Sequence, residues 1–285
     1  MKYIPEAKLR EICAKVQGDW GLYVSVPAAG EKLVINGDQP FVSASTIKVP
    51  LLALLLKDAA EGRVALHDPI PVTGENRVGG SGILRSLSRE IKMDLFDYAE
   101  LMIVLSDNIA TNQVIDAVTM ERVDPFCKEM GWSATHLGRK MMTPGRLLPD
   151  GTREQNYTSA ADLGNMMERI LQGTMVTPEI SRQMLRILAG QRLNKFGKVL
   201  PCVERLDPHV DPEPAPEGEL ILPGKGGTLT GNPLTGTPNV SHDAVILLLP
   251  NGRQAVLVMT TATPDNKEAE KCMNEVARAV YEALL

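Results

Sequence analysis

The chain has 285 residues, of which 44% are hydrophobic and 23% charged, and its formal net charge at pH 7 is -5. This length allows a sizeable buried core, and this balance excludes an intrinsically disordered chain. The basic surface typical of nucleic-acid-binding proteins is not indicated. We therefore expect a globular monomer that has a small-molecule substrate and does not bind nucleic acid.

The N-terminal segment, MKYIPEAKLREICAKV, has charged side chains where an export signal needs an unbroken apolar core. The longest apolar run, residues 49–56, is far below the roughly 20 residues that span a bilayer. These features predict no membrane span. They predict a cytoplasmic protein as the sequence is written, or a periplasmic or secreted one if a leader has been removed.

Hydrophobic periodicity predicts the secondary structure in chain order. A helix over 6–16 is followed by a hairpin whose two strands, 21–27 and 31–36, are joined by an Ala-Ala-Gly turn. The segment 46–60, TIKVPLLALLLKDAA, is apolar on every side, so it predicts a helix buried at the centre of the molecule. Further helices are predicted at 95–105, 108–118, 160–171, 178–188 and 266–285, and strands at 220–222, 244–249 and 254–260.

This order of elements predicts a two-lobed protein of the α+β fold class. Strands from both ends of the chain form one antiparallel sheet flanked by the N- and C-terminal helices, which gives a sheet domain from 1–44 and 196–285. Residues 45–195 form an inserted all-helical domain. The segment 206–219 is rich in proline and acid, and it predicts a stiff exposed loop.

The cysteines and histidines indicate neither a metal site nor a cofactor. The cysteines are widely spaced with no CxxC pair, and the histidines are too scattered for a ligand cluster. Buried free thiols are expected, and one disulfide between the two terminal helices stays open. The residues are Cys13, Cys127, Cys202 and Cys272, with His67, His136, His209 and His242, and the open pair is Cys13 with Cys272.

A serine and a lysine stand three residues apart at the start of the predicted central helix. On a helix, Ser45 and Lys48 share a face. Free backbone N–H groups at a helix start favour a developing anion beside Ser45. Lys48 is followed at once by VPLLALLL, so lost hydration lowers its pKa and favours the neutral amine that can accept a serine proton. In isolation, this spacing favours an N-capping serine and a solvated lysine, an interpretation that the apolar residues after Lys48 argue against.

Two further polar motifs follow. SDN at 106–108 stands between two predicted helices and by itself favours a simple helix start. GKGGT at 224–228 follows a short apolar run on an edge strand. Its glycines let a substrate backbone approach while Lys225 faces a substrate carboxylate. A plain glycine turn explains this motif equally well when it is taken alone.

An SxxK, an SDN and a K-x-G element in this order resemble the signature of class A β-lactamases and penicillin-binding proteins. GGSGIL at 79–84, NYTSAAD at 156–162 and HD at 242–243 extend the likeness over nearly the whole chain. The resemblance implies a β-lactamase-like fold. It also implies a serine hydrolase that forms a covalent acyl-enzyme on a β-lactam, or on a related amide or ester with a carboxylate, without metal or cofactor.

The resemblance implies three catalytic residues. Ser45 would attack the carbonyl carbon of the substrate, and Lys48 would be the base that accepts the serine proton. Ser106 would relay a proton to the leaving nitrogen. All three would act at a single cavity at the start of the central helix.

The resemblance also implies the substrate-binding residues. Asn108 would hold the substrate amide, and Lys225 would attract the substrate carboxylate and hold down the pKa of Lys48. Gly227 would allow the substrate backbone to approach. The backbone N–H of Thr228, together with that of Ser45, would form the oxyanion hole, in which loss of one donor typically slows catalysis about 100- to 1000-fold.

The sequence departs from the family pattern at two places. Residues 137–149, LGRKMMTPGRLLP, lack the loop glutamate that activates the deacylating water in class A β-lactamases, and Met141 stands about where it belongs. Asp150 and Glu154 are the nearest acids, and the sequence leaves open whether either replaces it. Gly226 stands in place of the usual threonine or serine, which removes a hydroxyl that would bind the substrate carboxylate.

We therefore expect ready acylation by penicillins and slow deacylation. Two alternatives stay open. The first is a D-Ala-D-Ala-type peptidase or an esterase of the same fold, because fold and motif do not determine the substrate. The second is a penicillin-binding sensor that is acylated without turnover, which the missing glutamate favours.

Overall fold

A computed structural model describes residues 2–88, 90–202, 219–232 and 237–285. Its helices are α1 (Glu6–Cys13), α2 (Lys48–Ala60), α3 (Leu95–Val104), α4 (Asn108–Val118), α5 (Met120–Glu129), α6 (Ala160–Leu171), α7 (Pro178–Ala189) and α8 (Asn266–Leu284). Its strands are β1 (Asp19–Val26), β2 (Glu31–Ile35), β3 (Phe41–Val42), β4 (Ile70–Pro71), β5 (Lys92–Met93), β6 (Tyr157–Thr158), β7 (Gly224–Leu229), β8 (Val240–Leu248) and β9 (Gln254–Ala262).

One antiparallel sheet joins the two ends of the chain. Its strand order is β2-β1-β9-β8-β7, and β1 pairs with β9 so that Leu22 lies opposite Met259. The short strands pair separately, β3 with β6 and β4 with β5. The α+β class with a single terminal sheet is therefore confirmed. The boundaries of the two lobes, at 44/45 and 195/196, stay a prediction.

Both faces of this sheet are buried, so alternate residues of one strand enter different cores. Leu22 and Leu257 pack with α1 and α8, whereas Tyr23, Val256 and Val258 pack with the helices on the opposite face. This alternation follows from the period of two residues in a strand. The sheet thus forms a middle layer between the terminal helices and the helical region.

Helix α2 is the buried centre of the helical region, as its composition predicts. Ten of its thirteen residues are buried, and it contacts α3, α4, α5 and α7. The helix begins at Lys48, because residues 44–47 form a 3-10 turn. Pro50 therefore lies in the first turn, where a proline is tolerated without a kink. Its buried Asp58 pairs with Arg122 of α5.

The structure differs from the predicted elements in two places. Helix α5 was not indicated by periodicity, because its sequence is polar and has Pro125 inside it. Residues 220–222 make isolated bridges, Cys202 with Leu220 and Ile221 with Leu248, instead of a strand. The predicted loop 206–219 and His209 lie outside the described residues, except for Glu219.

Two further predictions concern the cysteines and a membrane span. All four thiols are free, and Cys13 and Cys272 are buried on the packed helices α1 and α8. None of the helices in the described part of the chain has the length and apolar character needed to cross a bilayer.

Candidate active site

Ser45 lies in the tight turn that leads into the central helix. The turn spans 44–47, and Thr46 Oγ1 closes it by donating to the carbonyl of Ser43 at 2.7 Å. Because residues i and i+3 eclipse one another in a 3-10 turn, Ser45 and Lys48 lie on the same side of the chain. Ser45 is half-buried, whereas Lys48 is fully buried beneath it.

Lys48 lies in a polar pocket formed by the SDN motif. Its Nζ is 2.7 Å from Ser106 O, 3.0 Å from Ser106 Oγ and 3.0 Å from Asn108 Oδ1. Burial, followed by the charge of Lys225, lowers the pKa of Lys48 well below its usual value. Its Nζ donates in all three contacts. The same geometry also accommodates a neutral amine, in which the Ser106 hydroxyl donates to the lone pair. Ser45 Oγ is not among its partners.

Lys225 approaches the same hydroxyl from the sheet. Its Nζ donates to Ser106 Oγ at 3.1 Å and to Gly226 O at 2.8 Å. Burial, with the nearby charge of Lys195, lowers the pKa of Lys225 to about 7. Ser106 Oγ therefore lies between two buried lysines whose protons are both weakly held.

Asp107 anchors the SDN motif to two other segments. One carboxylate oxygen caps α4 by accepting N–H groups from its first turn at 2.9 and 3.0 Å. The other accepts the backbone N–H groups of Ile83 and Leu84 at 2.7 and 2.9 Å. Ser106, just before it, has a positive φ of 54°. This strained turn directs the Ser106 hydroxyl toward the lysines while Asp107 faces away from them.

Asn108 is held from both ends of its amide. Its Oδ1 accepts from Lys48, and its Nδ2 donates to Gly79 O at 3.1 Å. Its backbone N–H donates to Ser81 O at 3.1 Å. The loop 79–84, whose GGSGIL sequence is part of the resemblance to class A β-lactamases, therefore lies against Asn108 and forms one wall of the site.

A cavity of about 210 Å³ opens above these residues. It is lined by three predicted site residues, Ser45, Asn108 and Thr228, whereas Lys48, Lys225 and Ser106 lie buried behind it. Its remaining walls are Val42, Ala44, Gly80, Ser81, Arg139, Met141, Met142, Asn156, Leu229 and Thr230. None of these lining residues is a carboxylate or a histidine.

Strand β7 runs directly beside the backbone of Ser45. A Cβ atom added at Gly227 would lie 2.8 Å from the Ser45 nitrogen, so this approach requires glycine. Among the described residues, β7 is an edge strand of the sheet, with no strand paired to its outer side. The backbone donors of Ser45 and of the edge strand thus border one cavity, in which Thr228 is exposed.

Met141, which stands in the sequence about where class A β-lactamases carry the deacylating glutamate, lines the cavity at Ser45. Met141 is 9% exposed, and Asn112 holds its backbone N–H at 2.8 Å and its carbonyl at 3.1 Å. Asp150 accepts bonds from Thr152, and Glu154 pairs with Arg146 at the surface. Neither acid lines the cavity at Ser45.

Lys195 is a site residue that the sequence patterns do not reveal. It is 4% exposed, and its Nζ donates to His242 O at 2.9 Å and to Gly227 O at 3.3 Å. A Cβ atom at Gly226 would lie 3.1 Å from Lys195 Nζ and 3.1 Å from Asp243 Oδ1. A side chain at position 226 would therefore require Lys195 or Asp243 to shift by a few tenths of an ångström. Lys195 comes from an irregular segment after α7, so no periodicity or motif marks it.

His242 is a structural residue of the same region. Its Nε2 donates to Val42 O at 2.8 Å, and its Nδ1 accepts from Thr261 N at 3.1 Å, which is the pattern of a neutral imidazole. Burial lowers the pKa of His242 to about 4. The ring therefore ties β8 and β9 to Val42, which lines the cavity.

Comparison with known proteins identifies the family. A model of the beta-lactamase enzyme family matches residues 4–284. Beta-lactamase PSE-4 of Pseudomonas aeruginosa is 26% identical over 194 residues, 64% of this chain and 67% of that protein. A beta-lactamase structure from Sphaerobacter thermophilus DSM 20745 has a TM-score of 0.79 at 28% identity, covering 98% of this chain and 95% of that chain.

A mutant of PBP-A, solved as an acyl-enzyme complex with penicillin G, also has a TM-score of 0.79, at 26% identity over 98% of this chain and 95% of that chain. The family match spans almost the full length of the chain and includes all three motifs. The chain therefore belongs to the beta-lactamase enzyme family and is a serine hydrolase of the beta-lactamase type.

Proposed function

We propose that this hydrolase is acylated readily by penicillins at Ser45 and deacylates slowly. The observation that best supports acylation is the position of Ser106 Oγ, 3.0 Å from Lys48 Nζ and 3.1 Å from Lys225 Nζ. This arrangement links a weakly basic amine, a relay hydroxyl and a cation behind a cavity that contains Ser45.

Acylation proceeds through one cycle of proton transfer. Ser45 Oγ forms a bond to the β-lactam carbonyl carbon, and its proton passes to the neutral amine of Lys48. The N–H groups of Ser45 and Thr228 stabilise the oxyanion. When the carbon–nitrogen bond breaks, Ser106 gives its proton to the leaving nitrogen and recovers one from Lys48.

Binding uses the remaining predicted residues. Asn108 holds the substrate amide, Gly227 lets the substrate backbone lie close to β7, and Lys225 attracts the ring carboxylate. Lys195, 3.3 Å from Gly227 O, adds a second buried cation near that carboxylate. Its positive charge replaces the contact with the substrate carboxylate that a hydroxyl at position 226 would make.

Slow deacylation follows from the composition of the cavity. Hydrolysis of the ester needs a water activated by a base, and the described residues that line the cavity at Ser45 include no carboxylate or histidine. Met141 presents a thioether, which is a poor proton acceptor. The acyl-enzyme is therefore long-lived.

Intact-protein mass spectrometry after mixing with benzylpenicillin tests this proposal. The expected result is a one-to-one adduct on Ser45 that persists after the free drug is removed, and that is absent from Ser45→Ala and strongly slowed in Lys48→Met. An adduct on Ser45→Ala would refute the nucleophile, and rapid loss of the adduct would refute slow deacylation.

A second candidate is a penicillin sensor in which the trapped acyl-enzyme is the signal, and the carboxylate-free cavity favours it. A third is a peptidase or esterase of the same fold. Steady-state turnover of a chromogenic cephalosporin and of a small thioester with a carboxylate separates them. Turnover of neither indicates a sensor, and turnover of the thioester alone indicates the esterase.

A further inference from the structure

A second cavity continues the one at Ser45. Its volume is about 870 Å³, and four residues, Arg139, Met142, Leu229 and Thr230, line both cavities. It lies beyond the end of β7, on the side away from Lys225. Thr230 is five positions after Lys225, which is about 17 Å along an extended strand.

Arg139, at the junction of the two cavities, has only neutral partners. Its Nε and Nη2 donate to Gln155 Oε1 at 3.1 and 2.9 Å, and its Nη1 donates to Thr143 O at 3.1 Å and to Lys140 O at 3.5 Å. A guanidinium has five N–H donors, so one remains available. Within the described part of the chain, no carboxylate contacts this half-buried cation.

The second cavity is lined by another basic side chain besides Arg139. Arg153 also lines it and donates to Gly145 O at 2.9 Å. The acids of the same loop face other partners, since Asp150 accepts from Thr152 and Glu154 pairs with Arg146. The described lining residues of this cavity include two arginines and no acid.

The walls are also partly apolar. Met142 and Leu147 are 52% and 62% exposed although both are large and hydrophobic, and both line this cavity. Met142 has a positive φ of 60°, a conformation that methionine rarely adopts. The loop thus holds an apolar side chain at the junction, next to the unpaired charge of Arg139.

We infer that this second cavity is a subsite for an anionic substituent on the acyl side of the substrate, with Arg139 as the residue that binds it. The inference rests on the proposed function. With the ring carboxylate at Lys225 and the reacting carbonyl at Ser45, the acyl side chain extends toward Thr230 and the second cavity. Apolar walls and a guanidinium suit a short carbon framework that ends in a carboxylate.

Three penicillins that differ only in the substituent on one side-chain carbon test the inference. They are benzylpenicillin and two derivatives whose side-chain methylene carries a carboxylate or an ammonium group. The measurement is the second-order rate constant for labelling of Ser45, followed by intact mass. We expect the anionic compound to label about tenfold faster than benzylpenicillin, the effect of one partly exposed charge-assisted contact, and the cationic compound to label slowest.

Variants of Arg139 separate the effect of its charge on the labelling rates from an effect on folding. Arg139→Gln is expected to bring the anionic-to-neutral rate ratio to about one, whereas Arg139→Lys retains part of the preference. Arg146→Gln, a surface change outside both cavities, should leave the ratio unchanged. The ratio is measured within one protein sample, so it does not depend on the fraction of each variant that is correctly folded.

The outcomes distinguish the inference from the proposed function. If all three compounds label wild-type Ser45 at equal rates, or if Arg139→Gln keeps the preference, the subsite is refuted while acylation stands. If no penicillin labels Ser45, the proposed function fails, and the inference fails with it.

Discussion

A single hydroxyl connects the chemistry of this site. Ser106 Oγ contacts both Lys48 and Lys225, and the strained φ of Ser106 holds it there. Burial lowers the pKa of both lysines, and the charge of Lys225 adds to the effect on Lys48 while that of Lys195 adds to the effect on Lys225. Both lysines therefore hold their protons weakly. In the proposed acylation, Lys48 and Ser106 would therefore supply the proton transfers without a group from solvent.

The pKa of Lys225 predicts a pH dependence of acylation. Lys225 is charged below its pKa of about 7 and neutral above it, so its attraction for the substrate carboxylate falls as pH rises through about 7. The second-order rate constant for labelling by benzylpenicillin should fall over the same range. In Lys225→Arg the fall should disappear below pH 9, because a guanidinium stays charged. An unchanged midpoint in this variant would assign the titration to another group.

Met141→Glu should accelerate deacylation. The new carboxylate would replace a side chain whose Sδ lies 4.0 Å from Asn156 Nδ2, so an amide is present to orient it beside a water. We expect the acyl-enzyme lifetime to shorten at least about tenfold, within the range of general base catalysis. Met141→Gln, which has the same shape without a base, is the control. Equal lifetimes for the two variants would contradict the explanation of slow deacylation.

At the scale of elements, Asp107 is the residue that holds the α3–α4 junction together. Its carboxylate accepts four backbone N–H groups from α4 and from residues 83 and 84. We expect Asp107→Ala to lower the free energy of unfolding by about 3 kcal/mol, since it removes a helix cap and leaves buried donors unpaired. Urea unfolding measures this change. Asp107→Asn keeps one acceptor oxygen and should lose less, so an equal loss would contradict this account of the junction.

Much of this arrangement can be predicted from sequence, because local patterns define most elements. The apolar segments at 46–60 and 254–260 predict α2 and β9, and the boundaries of α4 and α6 agree with the observed helices. Helix α5 escapes prediction because its polar sequence is stabilised by tertiary contacts such as Arg122 with Asp58.

The site is less predictable than the elements. Ser45, Lys48 and Lys225 stand in recognisable motifs, yet Lys195 and Arg139 come from irregular segments whose neighbours lie far away in the chain. Lys195 contacts Gly227 and His242, which are 32 and 47 residues away in the chain. Such contacts depend on tertiary packing, and no local spacing indicates them.

At the scale of the whole molecule, the sheet that joins the two ends of the chain also positions the site. β1 from the N-terminal part pairs with β9 from the C-terminal part, and β7 and β8 extend the sheet to the turn at 44–47 that contains Ser45. His242 connects this sheet to Val42, which lines the cavity, so the stability of the sheet and the geometry of the site are linked.

His242 predicts an acid-dependent loss of stability. Its pKa is about 4 in the folded protein and ordinarily 6.5. Because the folded pKa is the lower one, the unfolded chain binds a proton first as pH falls, so stability present above pH 6.5 is lost progressively toward pH 4. The loss from this residue is about 3 kcal/mol. Urea unfolding between pH 7 and 4 should show a smaller decline in His242→Gln, and a decline equal to that of the wild type would exclude His242 as its source.

The most direct test of ready acylation with slow deacylation is the pre-steady-state release of chromophore from a chromogenic cephalosporin. We predict a burst of one equivalent per Ser45, followed by a slow steady phase that becomes faster in Met141→Glu. Linear turnover from the first time point, with no burst in the wild-type protein, would contradict it.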